Sequence, residues 1–343
     1  MNISDILSKL CGAAGVSGAE AEASAAAAEL LGQYTSDVRT DAFGCVYGVV
    51  GSPGNGKPSV LLEAHIDEIG FIVTYIDDNG FLKVGNCGGT DRRLYAAQSV
   101  TVHGEHGCAR GVICTLPPHV RKEDGGAMKT EDICIDIGCT SRESAEKLVS
   151  PGDRVTIDEP LAVLNGTRVT AKAIDDRGGV ASVLYALELL KGRELPVNIE
   201  VLFSSQEEVG ERGAAIGAYN VTAQTALSVD TSFAYTSDDK REDCGEMGKG
   251  VMIGVSPVLD RAVTDELKKL AADGKIPFQL EIMDCRTGTD ADEISLTKGG
   301  IRTGLLSIPI KYMHTPVEVA DTEDIISVSR LMAAFVTGGA ANV

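Results

Sequence analysis

Residues 198–214 read NIEVLFSSQEEVGERGA. The first half is an apolar run with the texture of a buried strand. The second half sets two adjacent carboxylates, Glu207 and Glu208, in a loop bounded by glycine. Two acids at the end of a buried strand are costly, because burial raises their pKa values and each repels the other's charge. A cation removes that cost, and a metal ion is the first candidate. Such an ion needs further ligands from elsewhere in the chain.

Other strand ends supply them. SVLLEA (59–64) runs into His65 and Asp67, and VTAKAI (169–174) runs into Asp175 and Asp176. EVLFSS (200–205) leads to the glutamate pair, ALSV (226–229) to Asp230, and LLSIPIKYM (305–313) to His314. In a parallel sheet these C-terminal ends share one edge, where such folds place their sites. Each residue alone has a plain structural explanation. A single histidine is a hydrogen-bonded histidine, Asp175 or Asp176 a helix N-cap, the glutamate pair a solvated turn, and Asp230 a cap or turn residue. Their joint occurrence on five strand ends points to metal binding. Two imidazoles and several carboxylates, with no thiolate, suit Zn²⁺, Co²⁺ or Mn²⁺ in a reactive centre better than a structural zinc site. There are too many acids for one tetrahedral ion, whereas two ions about 3.5–4 Å apart, sharing a carboxylate and a water, would use them. One carboxylate must then stay off the metals as general base. Asp67, two residues beyond His65, is placed to orient its imidazole.

The remaining pattern frames this edge. Residues 3–12 and 19–32 read as helices, the second alanine-rich and closed by Gly32. Strand runs follow at Val38–Thr40 and Cys45–Val50. From about residue 70 to 158 the texture becomes short β-rich runs: a hairpin turning at Asp78-Asn79-Gly80, then Ser99–His103, Gly111–Thr115, Asp132–Ile137 and Asp153–Ile157. One short helix, Ser141–Val149, interrupts them. After Val169–Ile174 the α/β alternation returns. Val180, Val183, Leu184, Leu187 and Leu190 share a helix face that closes at Lys191-Gly192. A short helix near Ala214–Tyr219, a capped helix over Thr264–Asp273, a strand at Pro277–Met283 and a last helix from about Asp324 to Val336 complete the chain. The expected fold is α/β, a mixed and mostly parallel sheet covered by helices, interrupted by a small β-barrel or sandwich. The domains are expected at 1–68 with 160–343, and at 69–159.

Composition narrows the function classes. A length of 343 residues suits two domains at roughly 150 residues each. A net charge of −19 argues against nucleic acid or anionic lipid as partner. Nine scattered cysteines without a CxxC pair read as reduced thiols, and the N-terminal MNISDILSKLCG lacks a signal peptide's apolar region, so a cytoplasmic location is expected. No run is long and apolar enough to span a membrane, which makes the sequons at Asn165 and Asn220 chance matches. The stretch GSPGNGKPS (51–59) imitates a phosphate-binding loop through Gly51, Gly56 and Lys57. Pro58 replaces the required hydroxyl and a strand follows instead of a helix, so it reads as a turn.

Taken in order and spacing, AHIDEIGF (64–71), AIDDRGG (173–179), SSQEEVGERGA (204–214), VDTS (229–232) and MHTPVE (313–318) resemble the M42 family of metallo-aminopeptidases, the glutamyl aminopeptidases and tetrahedral peptidases. The resemblance covers essentially the whole chain. It implies a zinc-peptidase-like core with an inserted PDZ-like dimerisation domain, and a homo-oligomer up to a tetrahedral dodecamer built from dimers. It makes His65 a ligand of one metal and His314 of the other, with Asp175 bridging and Glu208 and Asp230 completing the set. Glu207 becomes the general base for a metal-bridging water and Asp67 the residue that orients His65. The implied cofactors are two divalent ions per subunit, Zn²⁺ or Co²⁺ before Mn²⁺, and the implied substrates are peptides with a free N-terminus. The division of labour between Glu207 and Glu208 comes from the resemblance alone. The charged run Tyr235–Asp243 departs locally from the family's pattern and bears on the substrate entrance. Rival readings are a deacylase of N-acyl amino acids on the same metals, a glycoside hydrolase using the glutamate pair, and an inactive scaffold. The glycosidase reading suffers because adjacent residues cannot flank a bond and the aromatic content is only 4%. A scaffold would be free to lose ligands, and none is missing. Arg286 and Gly288–Asp290 are candidates to lie near the first side-chain pocket. Arg286 there could favour acidic substrates, or be an ordinary surface arginine.

Overall fold

The computed structural model describes residues 2–105, 107–115, 119, 128–237, 239–340 and 342–343. Parts of the expected insertion (106, 116–118 and 120–127) and Asp238 of the charged run lie outside the described residues.

The chain opens with α1 (Ile3–Gly12), whose Asn2 side chain accepts from the Ser4 N–H and whose Ile3, Ile6, Leu7 and Leu10 are buried on one stripe. Next come α2 (Ala21–Leu31), β1 (Asp37–Thr40), β2 (Val46–Val50) and β3 (Ser59–His65). The six strands β4 (Gly70–Ile76), β5 (Leu82–Cys87), β6 (Ser99–Gly104), β7 (Gly107–Ile113), β8 (Cys134–Asp136) and β9 (Arg154–Ile157) form a closed barrel in the order β4-β5-β8-β7-β6-β9. Closure gives each of the six strands a partner on both sides, and Phe71, Val73, Leu82, Val100, Ile135 and Val155 fill the interior. The helix expected over Ser141–Val149 is a single turn, α3 (Arg142–Ala145), closed by a reciprocal Ser141–Ser144 cap.

The chain then returns to the first sheet with β10 (Ala162–Val163), β11 (Arg168–Ala171), α4 (Ile174–Leu190), β12 (Asn198–Ser204), α5 (Arg212–Asn220) and β13 (Thr225–Phe233). β14 (Val251–Val255), α6 (Arg261–Gly274), β15 (Phe278–Ile282), α7 (Ala291–Leu296), β16 (Arg302–Lys311), β17 (Glu318–Asp321) and α8 (Thr322–Ala334) complete it. The sheet order is β1-β2-β12-β3-β13-β16-β17-β11-β10, with β14 and β15 extending from β16. Its centre, β12, β3, β13 and β16, is parallel. Two successive antiparallel pairings, β16 with β17 and β17 with β11, return β11 to the same direction. All five strands that precede the candidate residues therefore run the same way, which is the geometric condition for those residues to meet.

Two sequence expectations shift. Asp230 lies inside β13, not past its end, because the strand continues through Phe233 in register with β16. The helix expected from Thr264 starts at Arg261, because Asp260 caps it by accepting the Val263 N–H. The strand β14 had no counterpart in the sequence reading.

Candidate metal centre

Three sharp turns aim the side chains at the sheet edge. Ala173, Gln206 and His314 adopt left-handed φ angles of 57°, 58° and 60°. A non-glycine residue there costs on the order of 1–3 kcal/mol, so the surroundings must hold it. At His314 the holder is Glu318, whose carboxylate accepts from the His314 N–H at 2.9 Å and from the Asp175 N–H at 3.0 Å. One buried glutamate thus fixes two separate loops against each other.

Adjacent acids part company through backbone shape. Asp175 and Asp176, joined by a cis peptide, both have non-helical φ/ψ at the entrance of α4. Asp176 turns inward and accepts from the Gly179 N–H at 3.0 Å, acting as the helix cap. Asp175 is released toward the edge. The glutamates are set differently: Asp67 accepts from the Glu207 N–H at 3.0 Å and the Glu208 N–H at 3.3 Å, and from Ser17 Oγ at 2.6 Å. Its Oδ1 also lies 3.5 Å from His65 Nδ1. A single carboxylate therefore holds the glutamate loop and faces the imidazole, whose buried Nδ1 has no hydrogen-bond partner among the described residues.

The side chains converge. His65 Nε2 lies 3.3 Å from Asp175 Oδ1, and His314 Nε2 lies 3.3 Å from Asp175 Oδ2 and 3.6 Å from Glu208 Oε2. Two potential metal-ligand groups result, His65–Asp175–Asp230 and Asp175–Glu208–His314, in each of which the ligand atoms lie within 4.8 Å of one another. Asp175 belongs to both. Glu207 belongs to neither, with Oε2 at 4.0 Å from His65 Nε2. The barrel closes one side: a Cβ on Gly88, whose φ is +75°, would lie 3.1 Å from Glu208 Oε2 and 2.8 Å from Ile69.

The electrostatics are those of a site short of positive charge. Burial, then Asp175, pushes Glu208 well above the carboxylate range, and burial, then Asp176, does the same to Asp230. Glu207 is raised to about 8, first by burial and then by Asp290, Asp67 and Asp175, against the opposing His65. Asp175 moves the other way: burial would raise it, but hydrogen bonds from His314 and His65 outweigh that and hold it low. A divalent ion would compensate the crowded carboxylates, and the donor set of two imidazoles and three carboxylates fits Zn²⁺, Co²⁺ or Mn²⁺. The residues present fit the group.

Some supporting residues escaped the sequence reading. Glu318 stands in the quoted MHTPVE segment, but only the fold brings it to Asp175. Ser17 comes from the loop before α2. Glu63 was not anticipated either: it meets Asp290, from the segment already suspected near the pocket, at Ser204 Oγ, and burial raises both carboxyls, Glu63 next by Asp290.

A cavity of about 440 Å³ opens from this centre, lined by Asp175, Glu207, Glu208, Asp230 and His314 together with Ser232, Glu281, Thr289 and Ser307. Gly288 and Thr289 line it, whereas Arg286 stays outside its wall. Its guanidinium, 62% exposed, lies 3.2 Å from Asp292, 3.5 Å from Glu211 and 3.6 Å from Glu293. No membrane-crossing helix exists among the described residues.

A family model described as M42 glutamyl aminopeptidase matches residues 44–331. The lysyl aminopeptidase of Pyrococcus furiosus is 32% identical over 314 residues, covering 90% of this chain and 88% of that one. Among solved structures, an aminopeptidase from the archaeon Desulfurococcus kamchatkensis superposes with a TM-score of 0.91 at 33% identity, over 98% of this chain and 94% of that one. The TET1 peptidase of Pyrococcus horikoshii, which can assemble into a tetrahedron or a large octahedral shell, superposes with a TM-score of 0.86 at 31% identity, over 98% and 100%.

Proposed function

This chain belongs to the M42 glutamyl aminopeptidase family and is an aminopeptidase; we propose that it removes single N-terminal residues from peptides at a two-metal centre. His65, Asp175 and Asp230 would hold one ion, and Asp175, Glu208 and His314 the other. The observation that carries this reading is Asp175, whose two oxygens each lie 3.3 Å from a different histidine. When bound, the ions would supply Lewis-acid polarisation of the scissile carbonyl and acidification of the attacking water. Zn²⁺ or Co²⁺ are the first candidates, Mn²⁺ the next.

Glu207 is the general base in this reading. It lies beside both groups without belonging to either, and its carboxylate can take a proton from water and return it to the leaving amine. Asp67 is a positioning residue: it orients His65 and, through two backbone N–H groups, sets where Glu207 and Glu208 point. Glu318 does the same for Asp175 and His314. A free N-terminal amine is the group that this acidic edge would recognise, which favours an aminopeptidase over a deacylase of N-acyl amino acids.

We further propose a homo-oligomer built from dimers, up to a dodecamer, with the barrel as the dimerisation element. The TET1 relative's assembly supports this. The nine free cysteines support a cytoplasmic location. The test is hydrolysis of an amino-acid p-nitroanilide and its N-acetylated counterpart, before and after chelation and re-addition of Zn²⁺, Co²⁺ or Mn²⁺. Cleavage of the free amine alone, lost on chelation and restored by metal, is expected. Cleavage of the acetylated compound instead would support the deacylase.

A further inference from the structure

The cavity beside the metal centre contains a carboxylate that the reaction does not use. Glu281 projects from β15, and its neighbours follow from the pairing register. β13 and β16 run parallel with Asp230 opposite Ser307, β16 pairs with β14, and β14 pairs with β15 with Gly254 opposite Glu281. Side chains alternate between faces along a strand, so Asp230 and Ser232 share one face. Ser232 Oγ and Ser307 Oγ (2.6 Å) both donate to the Glu281 carboxylate. All three residues line the cavity.

This carboxylate has no countercharge among the described residues. Among the described residues the cavity wall contains no Lys or Arg, and no cation forms an ion pair with Glu281. Arg286, the nearest candidate by sequence, is held by Asp292, Glu211 and Glu293. Burial pushes the Glu281 pKa up, opposed by the two serine hydrogen bonds. Leu305 and Met313 supply apolar surface along the way.

The distance suits one class of side chain. Ser232 stands two residues beyond Asp230, roughly 6.6 Å along the strand at about 3.3 Å per residue. A four-carbon stem carries the ammonium of lysine on the order of 6 Å from its Cα. We infer that Glu281, held by Ser232 and Ser307, is the specificity-determining residue of the substrate pocket and selects peptides whose N-terminal side chain is cationic, lysine or arginine. This rests on the metal centre as the place where the substrate's α-amine sits.

The test compares lysine and norleucine p-nitroanilides, which differ at the ammonium, with the metal-loaded protein. The lysine compound is expected to exceed the norleucine one by about tenfold or more in kcat/KM, chiefly through KM. The Glu281→Gln substitution, nearly isosteric, should bring that ratio close to one. A wild-type ratio near one, or an unchanged ratio in the variant, overturns the inference. Calorimetric binding of L-lysinamide against L-norleucinamide to the Glu207→Gln variant, which should not hydrolyse them, gives a readout independent of turnover. If no anilide is cleaved, the metal-centre reading fails, while the amide pair still decides the role of Glu281. Should Glu281→Gln not fold by its melting curve, Glu281→Asp is expected to weaken lysinamide binding selectively. Equal loss for both amides would contradict the assignment.

Discussion

Two clusters of buried charge lie side by side in this molecule, and they balance their charges in opposite ways. The sheet edge gathers Asp175, Glu207, Glu208 and Asp230 against two histidines. Directly adjacent in sequence, Glu68 follows Asp67, and Lys172 and Arg177 flank Asp175. Here Glu68 accepts from Lys172 Nζ at 2.7 and 2.8 Å, from Arg177 at 3.1 Å and from the Gly15 N–H at 3.0 Å. Arg177, fully buried, also donates to the carbonyls of Leu10, Ala13 and Ile66. One carboxylate here faces two cations, backbone carbonyls take up the remaining donors of Arg177, and the cluster ties the end of α1 to the core. In the first cluster the acids exceed what the histidines can answer. A buried charge satisfied by the chain is structure; a buried charge left over is a binding site.

The substitutions that test this contrast differ in size and in readout. The largest effect is expected for Glu207→Gln: turnover should fall by about 10²–10⁴-fold while the metal content stays at the wild-type value by elemental analysis. Normal turnover would remove Glu207 from the role of base.

Next is Glu68→Gln, which leaves Lys172 and Arg177 buried beside a neutral group. Removing one partner of a buried pair costs roughly 3–5 kcal/mol, read as a lowered melting temperature at neutral pH. The pH dependence has a definite sign. Burial would raise the Glu68 pKa, but Lys172 and Arg177 outweigh it and hold it below the ordinary range. Its ionised form therefore stabilises the fold fully above the unfolded-state value of about 4.3. That contribution is lost as pH falls through the lower folded value. The gap between variant and wild type should narrow over that acid range, and the folded variant should still bind metal. A gap that widens in acid would refute the assignment.

The smallest effect is expected for Asp67→Asn, which stands between the two clusters. It keeps one acceptor oxygen, enough for only one of the two loop N–H groups, and loses the charge facing His65, so metal affinity should weaken by about 10–100-fold in a competition titration. Unchanged affinity would leave Asp67 a loop clamp only.

The same contrast explains what could be read from the sequence. His65, Asp175, the glutamate pair, Asp230 and His314 were legible because each terminates or rides on an apolar strand, and the parallel direction of those strands is itself readable from the alternating helices. Asp230 was misjudged as a strand-end residue because nothing local marks how far β13 follows β16. The residues that hold the ligands in place were not legible. Glu318 reaches Asp175 only through the antiparallel returns of β17 and β11, and Ser17 reaches Asp67 only because the loop before α2 pairs with the segment after β3 through a Val16–Glu68 bridge. Strand β14 follows the charged run Tyr235–Asp243 with no α-helix between β13 and it, so nothing local marks it. A lone glutamate on β15 carries no signal until Ser232 and Ser307 are brought to it.

The central claim is that one carboxylate, Asp175, serves two ions. Its most direct test is the Zn²⁺ stoichiometry of the purified chain after dialysis, for wild type and for Asp175→Asn, with melting curves to confirm folding. Two equivalents are expected in the wild type and a loss from both positions in the variant. A single equivalent in the wild type, or a folded variant that keeps two, would contradict it.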